Sequence, residues 1–265
     1  MFISRMLNPD PAMSLLKLTN ISKSFGGIKA LNDISFEVEE NQITGLIGPN
    51  GSGKTVTFDI ITGFTKPDSG SVLLKGREIT GMKPHKIARL GLARSFQLVK
   101  LFPNMRVHDI LAFGGQTKDL IKQLSVFSLR KEAEEVEKNI EEVSRFLGIS
   151  QLLDERAVNL SYGQQKLVEI ATLLVMRPEP KLLLLDEPAA GLAEHEIKSI
   201  KSVMVRLKGM GKTFVVIEHN MFFIMDICDK IIVLNYGVKI AEGKPEEVRK
   251  KAEVVEAYLG SEHSA

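Results

Sequence analysis

Gly48-Pro49-Asn50-Gly51-Ser52-Gly53-Lys54-Thr55 fills every fixed position of G-x-x-x-x-G-K-[ST]. Each residue type has a job in holding a triphosphate. Glycines let the backbone turn tightly enough to aim several N–H groups at one phosphate. A helix starting at Thr55 would add its N-terminal partial charge. Lys54 brings a full positive charge for the β- and γ-phosphates, and the Thr55 hydroxyl can ligate Mg²⁺. Thr65-Lys66-Pro67-Asp68 spells a guanine-pocket motif by letters alone. It follows Lys54 too soon, before another strand–helix unit could be completed, and reads as a turn.

A second acidic site ends an apolar run. Leu182-Leu183-Leu184-Leu185 leads into Asp186-Glu187-Pro188. A buried strand that stops at a carboxylate fixes that group at the C-terminal edge of an open α/β sheet, where ligands bind. Asp186 could hold Mg²⁺ through water, and Glu187 could polarise an attacking water as general base. His219 follows another apolar run, Thr213–Ile217, and could reach a γ-phosphate at the same edge. A lone histidine at a strand end more often serves structure. Gln97, after an expected strand at Ala93–Phe96, is unremarkable by itself.

These groups need elements to position them. Ile34–Val38 alternates as a half-buried strand does, Gln42–Ile47 runs into the glycine loop, and Ser71–Leu74 follows the turn Lys66–Gly70. A helix at 55–61, ended by Gly63, should follow the loop. Val136, Ile140, Val143 and Leu147 form one helical stripe, with glutamates on the other faces and Gly148 as a stop. Helix 164–175 should precede strand Leu182–Leu185. Helix 194–208 should precede strand Thr213–Ile217, with Lys230–Leu234 as a third. Such continuous apolar runs predict strands covered on both faces.

The whole chain bounds the function. Its 265 residues can bury a core without disulfides or metal, and the single Cys228 fits a reducing compartment. A net charge of +2 is too small to argue for nucleic acid or anionic lipid as partner, and no nucleic acid is expected. No apolar run approaches the roughly 18–20 residues of a membrane span, and residues 1–12 lack the apolar stretch of a signal peptide. A cytoplasmic protein that meets a membrane only through a partner is expected.

Together these residues resemble the ATP-binding cassette (ABC) family over 14–260. Leu160-Ser161-Tyr162-Gly163-Gln164-Gln165 looks like the family signature, in order with the phosphate loop, Gln97, Asp186-Glu187 and His219. The resemblance implies an α/β P-loop ATPase core (14–96 and 160–260). It adds an antiparallel β subdomain and an inserted α-helical subdomain (97–159), with tails at 1–13 and 261–265. It implies ATP and Mg²⁺ as ligands. It makes Gln97 the glutamine that senses Mg²⁺ and the membrane partner, His219 the switch histidine, and Phe25 the ring that stacks on adenine. Val56 stands with the phosphate loop, where a second Thr or Ser is common.

Ser161, Gly163 and Gln164 sit at a helix start, where free N–H groups would face outward as an anion site. The family implies that this site takes the γ-phosphate of a second ATPase subunit, identical or paralogous, across an ATP sandwich. Gly91–Gln97, the Tyr162 signature, Asp186–Leu192, Ile217–Met221 and the ending Glu256-Ala257-Tyr258-Leu259-Gly260 resemble the larger ATPase of branched-chain amino-acid importers. Urea and amide importers and the lipopolysaccharide-extraction ATPase are close cousins. Transmembrane permease subunits and, indirectly, a secreted binding protein are then the partners, on the inner face of the plasma membrane. Asn220 stands for a common Asp, and Ala193-Glu194-His195 for the usual Asn-Pro after Gly-Leu. A non-transport member of the family would show two cassettes or a long coiled coil.

Overall fold

Four leucines in a row need cover on both faces of their strand. The computed structural model describes residues 14–95, 102–115 and 126–259, and places them inside a six-stranded sheet. Strands β6 (Leu92–Arg94), β7 (Leu182–Asp186), β8 (Thr213–Ile217), β3 (Ile43–Ile47) and β9 (Lys230–Asn235) lie side by side in parallel. β10 (Val238–Gly243) closes one edge antiparallel to β9. The alternation of side chains divides the core in two. Leu183 and Leu185 join Ile47, Val216 and the helical segments on one face. Leu182 and Leu184 join Leu46, Val215 and a second sheet on the other. Each of these leucines is at most 1% exposed, a burial that contributes roughly 1.5–3 kcal/mol apiece.

The second sheet is antiparallel, in the order β2-β1-β4-β5, formed by β1 (Ser14–Phe25), β2 (Ile28–Glu39), β4 (Ser69–Leu74) and β5 (Arg77–Glu78). The stretch Thr65–Asp68 is a connection, as its early place predicts. Asp68 closes it by accepting from the Ser24 N–H at 2.7 Å and from Lys23 Nζ at 2.8 Å.

Helices α1 (Lys54–Ile61), α2 (Pro84–Ala88), α3 (Val107–Gly115) and α4 (Val126–Leu147) come before the signature. On α4, Val136, Ile140 and Leu147 are buried, Val143 packs at the cluster's margin, and Gly148 ends the helix at φ +70°. Then come α5 (Tyr162–Leu174), α6 (Glu194–Gly209), α7 (Met221–Ile227), α8 (Pro245–Val248) and α9 (Ala252–Leu259). α5 starts two residues before the expected 164, because Ser161 is its N-cap. β6 is shorter than the expected 93–96 strand and stops at Arg94. Among the described residues, no helix is long and apolar enough to cross a membrane.

Candidate active site

The phosphate loop leaves β3 and enters α1 through positions that only glycine fills without strain. Gly48 has φ +151°, and a Cβ there would collide with the Leu234 carbonyl oxygen and meet Ser52 Oγ at 2.6 Å. Gly53, at φ +102°, would bring a Cβ to 2.8 Å from the Ala30 carbonyl oxygen. The loop is braced from outside by the Gly237 N–H, which donates to the Ser52 carbonyl at 3.1 Å. Lys54 is 6% exposed and folds back over the loop, donating to the carbonyls of Gly48 at 2.7 Å and Pro49 at 2.9 Å. Two of its three donors are thereby held. Burial pulls its pKa below the ordinary lysine value, while the nearby Glu187 and Asp186 charges pull it back up. The Ser52 hydroxyl is buried with no hydrogen-bond partner among the described residues, and Thr55 is exposed at the mouth. A donor-rich loop with an orphaned hydroxyl fits a phosphate.

The acidic edge lies opposite. Asp186 ends β7, in register with Ile217 of β8. Its backbone N–H donates to Ser95 Oγ at 3.1 Å. Arg94 Nη2 lies 3.4 Å from Asp186 Oδ2, and Arg94 Nη1 donates to Asp59 Oδ1 at 2.6 Å. Burial pushes the Asp186 carboxyl above the usual carboxylate range, and Arg94 opposes that rise. Glu187 takes the rare φ of +49°, its N–H donating to the Ile217 carbonyl at 2.9 Å. Its Oε1 lies 3.2 Å from His219 Nε2, and both side chains are about half exposed. Thr55, Arg94, Tyr162, Lys166, Asp186 and Glu187 line one cavity of about 360 Å³. The structure thus brings Thr55, Asp186, Glu187 and His219 to one sheet edge.

At the signature, Ser161 Oγ accepts from the Gln164 N–H at 3.2 Å, and Gln164 Oε1 accepts from the Ser161 N–H at 2.8 Å. This capping box corrects the expectation of outward-facing N–H groups: two of them are satisfied within the chain. Gly163 lies against Glu196 of α6, whose carboxylate would collide with any Cβ there. Tyr162 packs on Gly191, where a Cβ would sit 3.0 Å from its ring. Phe25 is 48% exposed at the end of β1 with Lys23 Nζ 5.3 Å from its ring centre, so it is no core residue. Val56 is half-buried on α1 and Asn50 and Gly51 line the loop's crest. Gln97 lies outside the described residues.

Four neighbours were not singled out by their sequence positions. Glu218, buried beside His219, ends an apolar strand as Asp186 does, and that signal marked it equally. Arg94 and Lys166 were unremarkable because their partners lie far along the chain or inside a helix. Tyr258 of α9 reaches back to the Gly48 backbone with its hydroxyl, and burial pushes its pKa up to about 12.

With this geometry in place, likeness to known proteins is specific. The family described as ABC transporter matches residues 31–190, and that described as branched-chain amino acid ATP-binding cassette transporter matches 238–264. A probable branched-chain amino acid transport ATP-binding protein (LivG) of Archaeoglobus fulgidus is 40% identical, covering 95% of this chain and 98% of its own. The high-affinity branched-chain amino acid transport ATP-binding protein BraF of Pseudomonas aeruginosa is 37% identical, covering 93% and 98%. A nucleotide-free ATP-binding cassette from an ABC transporter superposes with a TM-score of 0.83 at 34% identity, over 93% of this chain and 99% of that one. The ADP conformation of an ATP-binding cassette of an ABC transporter gives 0.83 at 35% identity, over 94% of this chain and 99% of that one. The chain belongs to the ATP-binding cassette transporter family, as one of its ATPase subunits. It binds nucleotide, and ATP hydrolysis is the activity of these subunits.

Proposed function

We propose that this chain is the ATP-hydrolysing subunit of an importer of branched-chain or related amino acids. The similarity of the C-terminal segment 238–264 to that transporter group carries the substrate class. The 3.2 Å pairing of Glu187 with His219, at the rim of the cavity shared by Thr55 and Asp186, carries the mechanism.

In this reading the loop Gly48–Thr55 cradles the phosphates, Lys54 turns its third donor to a γ-phosphate oxygen, and Phe25 stacks on adenine. Val56, in the first turn of α1, backs the loop. Thr55 and Asp186 would hold Mg²⁺, with Gln97 as the residue that senses it. When bound, the ion would neutralise charge on the phosphates. Glu187 accepts the proton of the attacking water, whose oxygen bonds to the γ-phosphorus as ADP leaves. His219 orients that carboxylate.

Ser161, Gly163 and Gln164 present the N-terminal end of α5 to the γ-phosphate held by a second ATPase subunit, identical or paralogous. Transmembrane permease subunits dock on an apolar cavity of about 330 Å³ between α2, α3 and α5, where Phe64 and Phe113 are exposed. This division makes 14–96 and 160–260 the core and 97–159 the helical insertion. A secreted binding protein acts only through the permease, and the chain sits on the cytoplasmic face.

The decisive variant is Glu187→Gln. It should bind ATP normally while hydrolysis falls about 10²-fold or more. Near-normal turnover in a phosphate-release assay would sink the assignment.

A further inference from the structure

His219 and Glu187 stand on different loops, one after β8 and one after β7, yet their side chains meet at 3.2 Å. One buried group ties those loops together. Glu218 is 2% exposed, between the strand's last apolar residue and the histidine. Its Oε1 accepts the Ala189 N–H at 2.6 Å, just beyond Glu187. Its Oε2 accepts the N–H of His219 at 3.0 Å and of Asn220 at 3.2 Å. A carboxylate is costly to bury and is kept inside where charge-assisted N–H bonds replace water. Three such bonds, split between two loops, hold their separation from both sides. Glu187 needs that hold. At φ +49° its backbone is in a region that residues with a Cβ rarely occupy, and such a conformation persists only where its surroundings enforce it. The Ile217 carbonyl fixes it on one side, through the Glu187 N–H, and Glu218 fixes Ala189 on the other.

We propose that Glu218 is a positioning residue for ATP hydrolysis: its carboxylate clamps the loop of Glu187 to the loop of His219 and sets their catalytic geometry. The proposal rests on reading Glu187 and His219 as the hydrolytic pair.

Glu218→Gln tests it, because the amide keeps the volume but offers one acceptor oxygen and a group that repels N–H donors. One of the two ties must then break. The expected result is a kcat lowered about 10- to 100-fold, the scale of a small misplacement at a reacting centre, with the ATP KM within about twofold. In a His219→Ala background, followed by single-turnover hydrolysis of labelled ATP, the same substitution should cost several-fold less, because only its hold on the Glu187 loop is left to lose. An equal loss in both backgrounds, an unchanged kcat, or loss of ATP binding would each overturn the proposal. Glu187→Gln assayed alongside separates the two readings. If Glu187→Gln turns over normally, the hydrolytic pair itself is wrong. If it is inactive while Glu218→Gln is fully active, only the clamp is wrong.

Discussion

A methyl group is the smallest addition a residue can make, and Gly48 has no room for one. Its Cβ would overlap the Leu234 carbonyl oxygen and press on Ser52 Oγ, and φ +151° adds backbone strain. The neighbouring strand β9 cannot retreat, because it pairs with β3 up to Ile47. Gly48→Ala should therefore cost roughly 2 kcal/mol or more of stability, as overpacking against backbone does. Its displaced carbonyl would also release one of the two anchors on Lys54. ATP affinity should fall by about tenfold or more, the equivalent of about 1.4 kcal/mol. Calorimetric melting and fluorescent-nucleotide titration check both, and an alanine variant of wild-type affinity would contradict the geometry. A methyl added at Gly51 would meet no atom of the described residues within 4 Å, so only the φ of +77° constrains that position.

Between elements, α3 and α4 meet through a titratable contact. His108 Nε2 lies 2.9 Å from Glu137 Oε2, and Nδ1 lies 3.4 Å from Asp109 Oδ1. The Glu137 hydrogen bond raises the histidine's pKa above its ordinary value, with Asp109 adding to it and burial opposing. A raised folded-state value means the contact stabilises fully below the unfolded value of about 6.5 and fades as pH rises through the raised one. The side chains are exposed, so the effect is at most about 1 kcal/mol, or roughly 2–4 °C in melting temperature. The melting temperature of His108→Gln should approach that of the wild type as pH increases from 5.5 to 9. A constant gap across that range would refute the linkage. At this same scale the limits of sequence reading are visible. The stripe on α4 and the apolar run of β7 were legible because a local period or run already states what each element must bury. The Arg94 bridge from Asp59 to Asp186 was not, since it joins three elements whose adjacency only the sheet order decides. The capping box at Ser161 and Gln164 was hidden for a different reason. The same residues that suggest an anion site are those that satisfy a helix end.

In the proposed reading, the phosphate loop and the signature end of α5 each supply half of a phosphate-binding site. The loop of Gly48–Thr55 and the edge of Asp186, Glu187 and His219 supply donors and a base from one side only. Arg94, a cation at that edge, is already engaged with Asp59 and Asp186 and is poorly placed to serve as a finger. The signature end of α5 offers a helix dipole, with the Gly163 N–H outside the capping box. Glu196 lies against that glycine, so an incoming phosphate must overcome the repulsion of its carboxylate. In that reading an ATP held in the loop of one copy would provide that phosphate, and the second copy would do the same in return, so closure should be ATP-dependent and cooperative. A hydrolysis-deficient Glu187→Gln chain in ATP and Mg²⁺ should therefore shift from 29.4 kDa to about twice that in light scattering, as ligand-linked assembly requires. Adding Ser161→Arg, which removes the cap and crowds the helix end, should return it to the single-chain mass with ATP affinity within about twofold. ADP should leave both chains unpaired, because it lacks the phosphate that the signature must reach. A single-chain mass for Glu187→Gln at saturating ATP would reject self-pairing. The same titration repeated with a paralogous ATPase subunit would then identify which chain completes the site.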